Sequence, residues 1–228
     1  MPAPNDASTS GAANRSPQEK FVLILEAVKR SLLSAEILLR NVYAELDGIA
    51  QDVDAKRPID DRAAAPLISC LGFIDFAFRF KSLMDALPLV SAKHPQMIRL
   101  MSALASVESA RHHLQHLRGE LSTNDAIEYP ILGSISWVTN NAVYSMCLGT
   151  PIGTARFASI SYDRENRQWT AAHLYAVRDA VVDTDMVIEE MRKAFNWLAS
   201  AIFPPEPSLQ ELKWGATIVL KMAMQHPE

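Results

Sequence analysis

The chain has 228 residues, of which 49% are hydrophobic and 21% are charged, values typical of a soluble globular protein with a sizeable core. The formal net charge of −4 provides no overall attraction for nucleic acid, so any such role depends on a local basic patch. The two cysteines, Cys70 and Cys147, lie far apart in the sequence without metal-ligand spacing. This pattern favours reduced thiols, and one disulfide between the two cysteines is the alternative.

Residues 1–16 are small and polar, and they lack the basic start and apolar run of a secretory signal. We expect this segment to be a disordered leader. No uninterrupted apolar stretch approaches the roughly 20 residues that a membrane span needs. These features predict a cytoplasmic protein without a membrane partner.

The segment after the leader carries the signals of a long helix. Ser16 can cap its start, Pro17 suits the first helical position, and Glu19 completes a capping box. Two interleaved apolar sets then repeat every seven positions: Leu25, Leu32, Leu39, Leu46 and Val53, with Phe21, Val28, Ala35, Val42 and Ile49. This heptad pattern predicts one helix that packs along its length, in a bundle or against a second copy of the chain.

Two further helices are predicted before residue 122. Residues 61–87 are apolar on two sides, which is typical of a helix buried between neighbours, and they include Asp75 and Arg79, a helix-spaced pair that is either structural or part of a site. Pro95 can open the next helix, predicted over Met97–Leu121. Its seam is formed by Leu100, Ala103, Val107, Ala110, Leu114, Leu117 and Leu121.

After residue 121 the apolar spacing changes to the two-residue alternation of strands. Strands are predicted at residues 131–139, 142–148, 156–162 and 168–175, with a turn at Asn140-Asn141. An amphipathic helix over 179–202 is expected to cover this antiparallel sheet, and residues 214–224 to add a fifth strand or a terminal helix. The sequence therefore predicts an α+β fold in two parts, a long-helix bundle over 17–121 and a sheet with a covering helix over 122–228, packed together.

The strongest chemical signal is the run Arg111-His112-His113-Leu114-Gln115-His116. An arginine, a polar residue directly after it, and a histidine after four intervening residues form a pattern that resembles the ribonuclease motif of the HEPN superfamily (higher eukaryotes and prokaryotes nucleotide-binding domains). The resemblance covers residues 17–121. It implies a helical bundle that dimerises so that two motifs face one another across a cleft, and metal-independent cleavage of RNA.

The chemistry of RNA cleavage suits these side chains. RNA supplies its own nucleophile in the 2′-hydroxyl, so a site needs a proton acceptor or donor and a cation. We assign His116 as the acid/base, Arg111 as the phosphate clamp and His112 as a positioning or auxiliary group. Five positions on a helix span about 140°, so Arg111 and His116 need a facing copy or a bend to meet. The expected partners are a second copy of the chain, RNA, and an antitoxin or other regulatory protein.

Three alternatives remain open at this point. The motif can be a solvated polar flank of a bundle helix. Glu108, His112 and His116, spaced by four, can be metal ligands on one helix face, with further carboxylates from Asp75 or Glu36. A non-enzymatic homodimeric interaction or regulatory module needs no special residues. No phosphate-binding glycine loop, nucleophile elbow or His-Glu-x-x-His motif occurs, so the sequence indicates no cofactor.

Overall fold

The computed structural model describes residues 17–88, 90–123, 129–139, 141–147 and 158–202. The predicted leader and the segment 214–224 lie outside these residues. Within them the elements follow in the order α1 (Pro17–Asp54), a 3₁₀ turn (Asp60–Ala63), α2 (Ala64–Asp85), α3 (Pro95–Ala103), α4 (Ala105–Thr123), β1 (Ser134–Thr139), β2 (Ala142–Cys147), β3 (Tyr162–Asp163), β4 (Gln168–Trp169), β5 (His173–Val177), β6 (Ala180–Asp183) and α5 (Thr184–Ile202). The predicted α+β fold is confirmed.

The long first helix is confirmed, and its heptad residues form one side of the core. The buried members are Leu25, Val28, Leu32, Ala35, Leu39, Val42, Leu46 and Ile49. α1 packs mainly on α2, whose Phe73, Ala77 and Phe80 are completely buried. Val53 marks the end of the pattern, since 42% of its surface is exposed. The heptad spacing therefore predicted both the helix and the face that it buries.

The single helix predicted over Met97–Leu121 is wrong, because the structure has two helices there. α3 and α4 are separated by Leu104, which is fully buried. α3 packs on α5, whereas α4 packs on α2 and β6. One straight helix cannot face both sets of partners, so the chain changes direction at Leu104.

The apolar seam of this segment is confirmed only in its first part. Leu100, Val107 and Ala110 are buried, but Leu121 is 42% exposed. His113 is the buried side chain in the middle of α4, with its ring edge-on to Tyr129. The second half of α4 therefore presents mostly polar side chains.

The main sheet is antiparallel with the strand order β2-β1-β5-β6. The turn predicted between the first two strands is present, with Asn141 in the left-handed conformation at a φ of 59°. In the register, Trp137 of β1 lies opposite both Tyr144 of β2 and His173 of β5. These three side chains share one face of the sheet because directly opposed residues point the same way.

The strands predicted at 156–162 and 168–175 are wrong in extent. β3 and β4 are two-residue strands that form a separate ribbon, and β5 joins the main sheet instead. Thr170 closes the ribbon by donating from its backbone N–H to the carbonyl of Ser161, at 2.9 Å. The chain then turns before His173, so one predicted strand becomes two. Residues 156 and 157 lie outside the described part of the chain.

The covering helix begins five residues later than predicted, and Ala180–Asp183 is a strand. Val182 pairs with Tyr175 across the sheet. The Asp183 carboxylate accepts a hydrogen bond from the backbone N–H of Met186 at 2.9 Å, which caps the start of α5. Two consecutive valines followed by a capping aspartate favour a strand that ends where a helix begins.

Helices and sheet contribute to one hydrophobic core in the described residues. It joins buried residues of α1 and α2 to Trp137, Tyr175 and Val182 of the sheet. One helical stretch, Asp61–Asp85, is long and apolar enough by length and composition to cross a membrane. The core helix of a soluble protein has the same composition, and α2 packs on α1, α4 and α5. The part of the chain that the structure describes therefore carries no clear membrane signal.

Candidate functional site

Arg111 projects from α4 toward α2 and is held there by three contacts. Its Nε donates to Asp75 Oδ1 at 3.1 Å, its Nη1 donates to Gln115 Oε1 at 3.2 Å, and its guanidinium lies over the Phe78 ring, 4.1 Å from the ring centre. The side chain keeps 24% of its surface exposed. Arg111 is therefore positioned within one subunit while part of its guanidinium remains accessible.

Asp75 holds two arginines at once. Arg79, one turn further along α2, donates its Nε to Asp75 Oδ2 at 2.7 Å, while Arg111 binds the other oxygen. Partial burial alone would raise the pKa of the Asp75 carboxyl, but the hydrogen bonds and charges of Arg79 and Arg111 outweigh it and hold that pKa below its usual range. The predicted Asp75–Arg79 pair is thus a surface pair that also receives Arg111.

His112 and His116 lie side by side on the exposed face of α4. Their ring centres are 4.3 Å apart and the rings are tilted by 47°. Residues four apart on a helix differ in direction by about 40°, which brings these two side chains together. Arg111 precedes His116 by five positions and turns to the α2 side. The structure brings together the two histidines, which we call the histidine face, and directs Arg111 elsewhere.

A small cleft adjoins the histidine face. It has a volume of about 130 Å³ and lies between α4 and the turn that joins β5 to β6. Ser109, His112 and His113 line it from α4, and Arg178 and Asp179 line it from the turn. The cleft therefore combines two imidazoles, a hydroxyl, a guanidinium and a carboxylate within one subunit.

The alternative metal site receives no geometric support in the described residues. Glu108 forms an ion pair with Lys81 at 3.0 Å. No group of three or more metal-ligating side chains comes together within the described ranges. The spacing of Glu108, His112 and His116 by four places the two histidines together but does not complete a metal-binding group.

A second polar cluster, which the sequence did not indicate, joins α1 to the sheet. Tyr43 donates its hydroxyl to Asp185 Oδ1 at 2.5 Å, and His173 Nδ1 lies 2.9 Å from Asp185 Oδ2. The rings of Tyr43 and His173 are stacked with centres 3.8 Å apart. The side chains come from α1, β5 and the first turn of α5, so no local sequence motif predicts this Tyr43–His173–Asp185 cluster.

The cluster has a defined electrostatic state. Burial alone would raise the pKa of Asp185, but hydrogen bonds from His173 and Tyr43 outweigh it and hold that pKa below its usual range. Burial, with the hydrogen bond to Asp185, raises the pKa of the Tyr43 phenol well above its usual value. Asp185 is therefore an anion and Tyr43 a neutral donor at neutral pH.

Comparisons with protein-family models, with curated proteins and with solved structures find no match to this chain. The class of the molecule is therefore given by its own architecture: an α+β protein in which helices and an antiparallel sheet share a core. Two polar arrangements stand out on this fold, the histidine face with Arg111 and the Tyr43–His173–Asp185 cluster. The function has to be argued from their chemistry.

Proposed function

We propose that the chain is an HEPN-like, metal-independent endoribonuclease that acts as a homodimer on cytoplasmic RNA. The observation that carries the proposal is the pair of exposed imidazoles on α4, His112 and His116, with ring centres 4.3 Å apart. Histidine is the side chain whose ordinary pKa allows it to accept and to donate protons near neutral pH. Two such rings at one place can supply both proton transfers that RNA cleavage requires, so the proposal gives the auxiliary His112 the second of these transfers beside His116.

In the proposed reaction one neutral imidazole removes the proton of a ribose 2′-hydroxyl, and the 2′-oxygen attacks the adjacent phosphorus. The bond from phosphorus to the 5′-oxygen of the next nucleotide breaks, and the second, protonated imidazole donates a proton to that oxygen. The products are a 2′,3′-cyclic phosphate and a free 5′-hydroxyl. Arg111 stabilises the negative charge that develops on the phosphate oxygens.

The proposal requires a second subunit because Arg111 and His116 occupy different sides of α4. In a symmetric dimer the Arg111 of one subunit faces the histidine face of the other. The contacts of Arg111 with Asp75 and Gln115 hold its guanidinium in a fixed direction. They use two N–H groups, and a guanidinium has five, so donors remain for a phosphate. An antitoxin or other regulatory protein would act by covering the histidine face.

The test is cleavage of unstructured RNA in the presence of EDTA by wild type, His116→Ala and Arg111→Ala. Each variant is expected to lose activity by a factor on the order of 100. Arg118→Ala is the matched control, since it removes an exposed arginine from the same helix. Absence of cleavage by wild type, or full activity in both motif variants, would refute the assignment. Sedimentation of wild type gives the oligomeric state independently.

A second candidate, a non-enzymatic homodimeric interaction module, is favoured by two observations. Arg111 forms its ion pair with Asp75 inside a single subunit, as a purely structural arginine does. The outer side of α1 also exposes Leu33 and Ile37, at 41% and 54%, which suits contact with another chain. A dimer that shows no RNA cleavage and is broken by Ile37→Glu would support this second function instead.

A further inference from the structure

A groove of about 650 Å³ is lined by α1, α2 and the Arg111 side chain of α4. Its apolar lining includes Phe76, Phe78 and Leu83, and its charged lining consists of Arg30, Arg79 and Arg111. Both phenylalanines are only partly buried and pack against the core from outside. An apolar groove bordered by guanidinium groups suits a ligand that is planar and apolar in one part and anionic in another.

Two of the arginines lie over aromatic rings of this groove. The guanidinium carbon of Arg111 is 4.1 Å from the centre of the Phe78 ring, and that of Arg79 is 5.6 Å from the centre of the Phe76 ring. A guanidinium that rests on a ring keeps its second face for another planar group. The groove therefore offers guanidinium planes as stacking surfaces, each supported from below by a phenylalanine ring.

The side chains around the groove carry a net positive charge. Arg30 pairs with Glu26 at 2.8 Å, whereas Arg79 and Arg111 share the single carboxylate of Asp75. Among the described residues, three guanidinium groups are thus balanced by two carboxylates. Because each guanidinium carries five N–H donors, these ion pairs leave donors for phosphate oxygens.

We infer that this groove binds single-stranded RNA, with bases stacked on the outer guanidinium planes of Arg79 and Arg111 and with phosphates bound by the N–H groups of the three arginines. Unpaired bases can be splayed out to stack in this way, whereas the bases of a duplex are already stacked on one another. The inference rests on the proposed function for its choice of RNA. It extends that function by making the nuclease specific for single strands.

The groove connects to the proposed site through Arg111. This residue lines the groove and directly precedes His112 on α4. In the proposed dimer, Arg111 of one subunit acts on a phosphate beside the histidine face of the other subunit. An RNA strand held in the groove of the first subunit leads to that phosphate. The groove would then position RNA before cleavage.

The test measures binding apart from cleavage, using a labelled single-stranded oligoribonucleotide with 2′-O-methyl riboses, which has no free 2′-hydroxyl to attack. Fluorescence anisotropy with the full chain compares wild type, Arg79→Ala and Arg40→Ala. Arg79 lines the groove. Arg40 is an exposed arginine of α1, and it lies on the side of that helix opposite to Ser31, which also lines the groove. Arg79→Ala is expected to weaken binding about fivefold and to reduce the slope of log Kd against log salt by about 0.7, and Arg40→Ala to change neither.

Phe78→Leu provides a second test, because leucine keeps the wall apolar but removes the ring that supports the guanidinium of Arg111. Its affinity for the same oligonucleotide is expected to fall at least about fivefold. Equal effects of Arg79→Ala and Arg40→Ala, or equal affinity for the matched duplex, would overturn the inference. Specific binding without cleavage of unmodified RNA would uphold the groove and refute the nuclease. Cleavage of RNA that neither Arg79→Ala nor Phe78→Leu affects would uphold the nuclease and refute the groove.

Discussion

The histidine face and the Tyr43–His173–Asp185 cluster hold their polar side chains in opposite ways. His112 and His116 come from one helix, are exposed, and contact each other. The cluster draws one side chain each from α1, β5 and α5 and links them by hydrogen bonds of 2.5 and 2.9 Å. The first arrangement can change without disturbing the fold, whereas the second ties the helices to the sheet. We therefore expect activity to depend on the first and stability on the second.

The largest expected effect is on the histidine face. His116→Ala should lower RNA cleavage on the order of 100-fold, equivalent to about 2.7 kcal/mol of transition-state stabilisation. Its free energy of unfolding should stay within about 0.5 kcal/mol of wild type, because the side chain is exposed. Cleavage kinetics and urea unfolding of the same preparation measure both. If His116→Ala lowers the free energy of unfolding enough to explain the loss of activity, the histidine face is structural and does not differ from the cluster in this respect.

The next effect concerns the Tyr43–His173–Asp185 cluster. Asp185→Ala should lower the free energy of unfolding by about 1–2 kcal/mol, since the Tyr43 hydroxyl and His173 Nδ1 lose a charged acceptor. The partial exposure of Asp185, 40%, keeps the effect moderate. Asp179→Ala is the matched control, because that carboxylate is 94% exposed in the nearby turn. Urea unfolding in which the two variants are equally stable would contradict a linking role for the cluster.

A smaller effect is expected from Tyr43→Phe. The substitution keeps the ring that stacks on His173 and removes only the hydroxyl that donates to Asp185. The loss should be about 1 kcal/mol in the free energy of unfolding. Tyr162→Phe in the β3–β4 ribbon, where the side chain is exposed, serves as the control and should change stability little. A Tyr43→Phe protein as stable as this control would show that the hydrogen bond from Tyr43 to Asp185 does not contribute to stability.

The smallest effect is a pH dependence of stability. The pKa of Asp185 is lower in the folded protein than its usual value, so its contribution is present above about pH 4, the ordinary range for an aspartate. That contribution is lost as the pH falls through the folded pKa, because the unfolded chain then binds the proton more readily. The stability difference between wild type and Asp185→Ala should shrink below about pH 4. Urea titrations across that range measure it, and a constant difference would contradict the assignment.

Much of the fold could be predicted because helix and strand periodicity depends on neighbouring residues. The heptads from Leu25 to Ile49 determined which face of α1 is buried. The break at Leu104 could not be predicted in this way, since no proline or glycine marks it and its cause is the different partners of α3 and α4. Strand β6 was missed because Val181 also fits the helical apolar stripe that continues through Thr184 and Ile188, and only pairing with β5 shows that this segment is a strand.

The sequence by itself determined the α+β fold class, the long α1 stripe and the proximity of His112 and His116, because helical spacing is a local geometric property. Only the tertiary structure decided that Arg111 binds Asp75 and rests on Phe78, that three arginines and two phenylalanines share a groove, and that Tyr43 meets His173 and Asp185. These contacts join residues far apart in the chain. They depend on how whole elements pack, which no local pattern specifies.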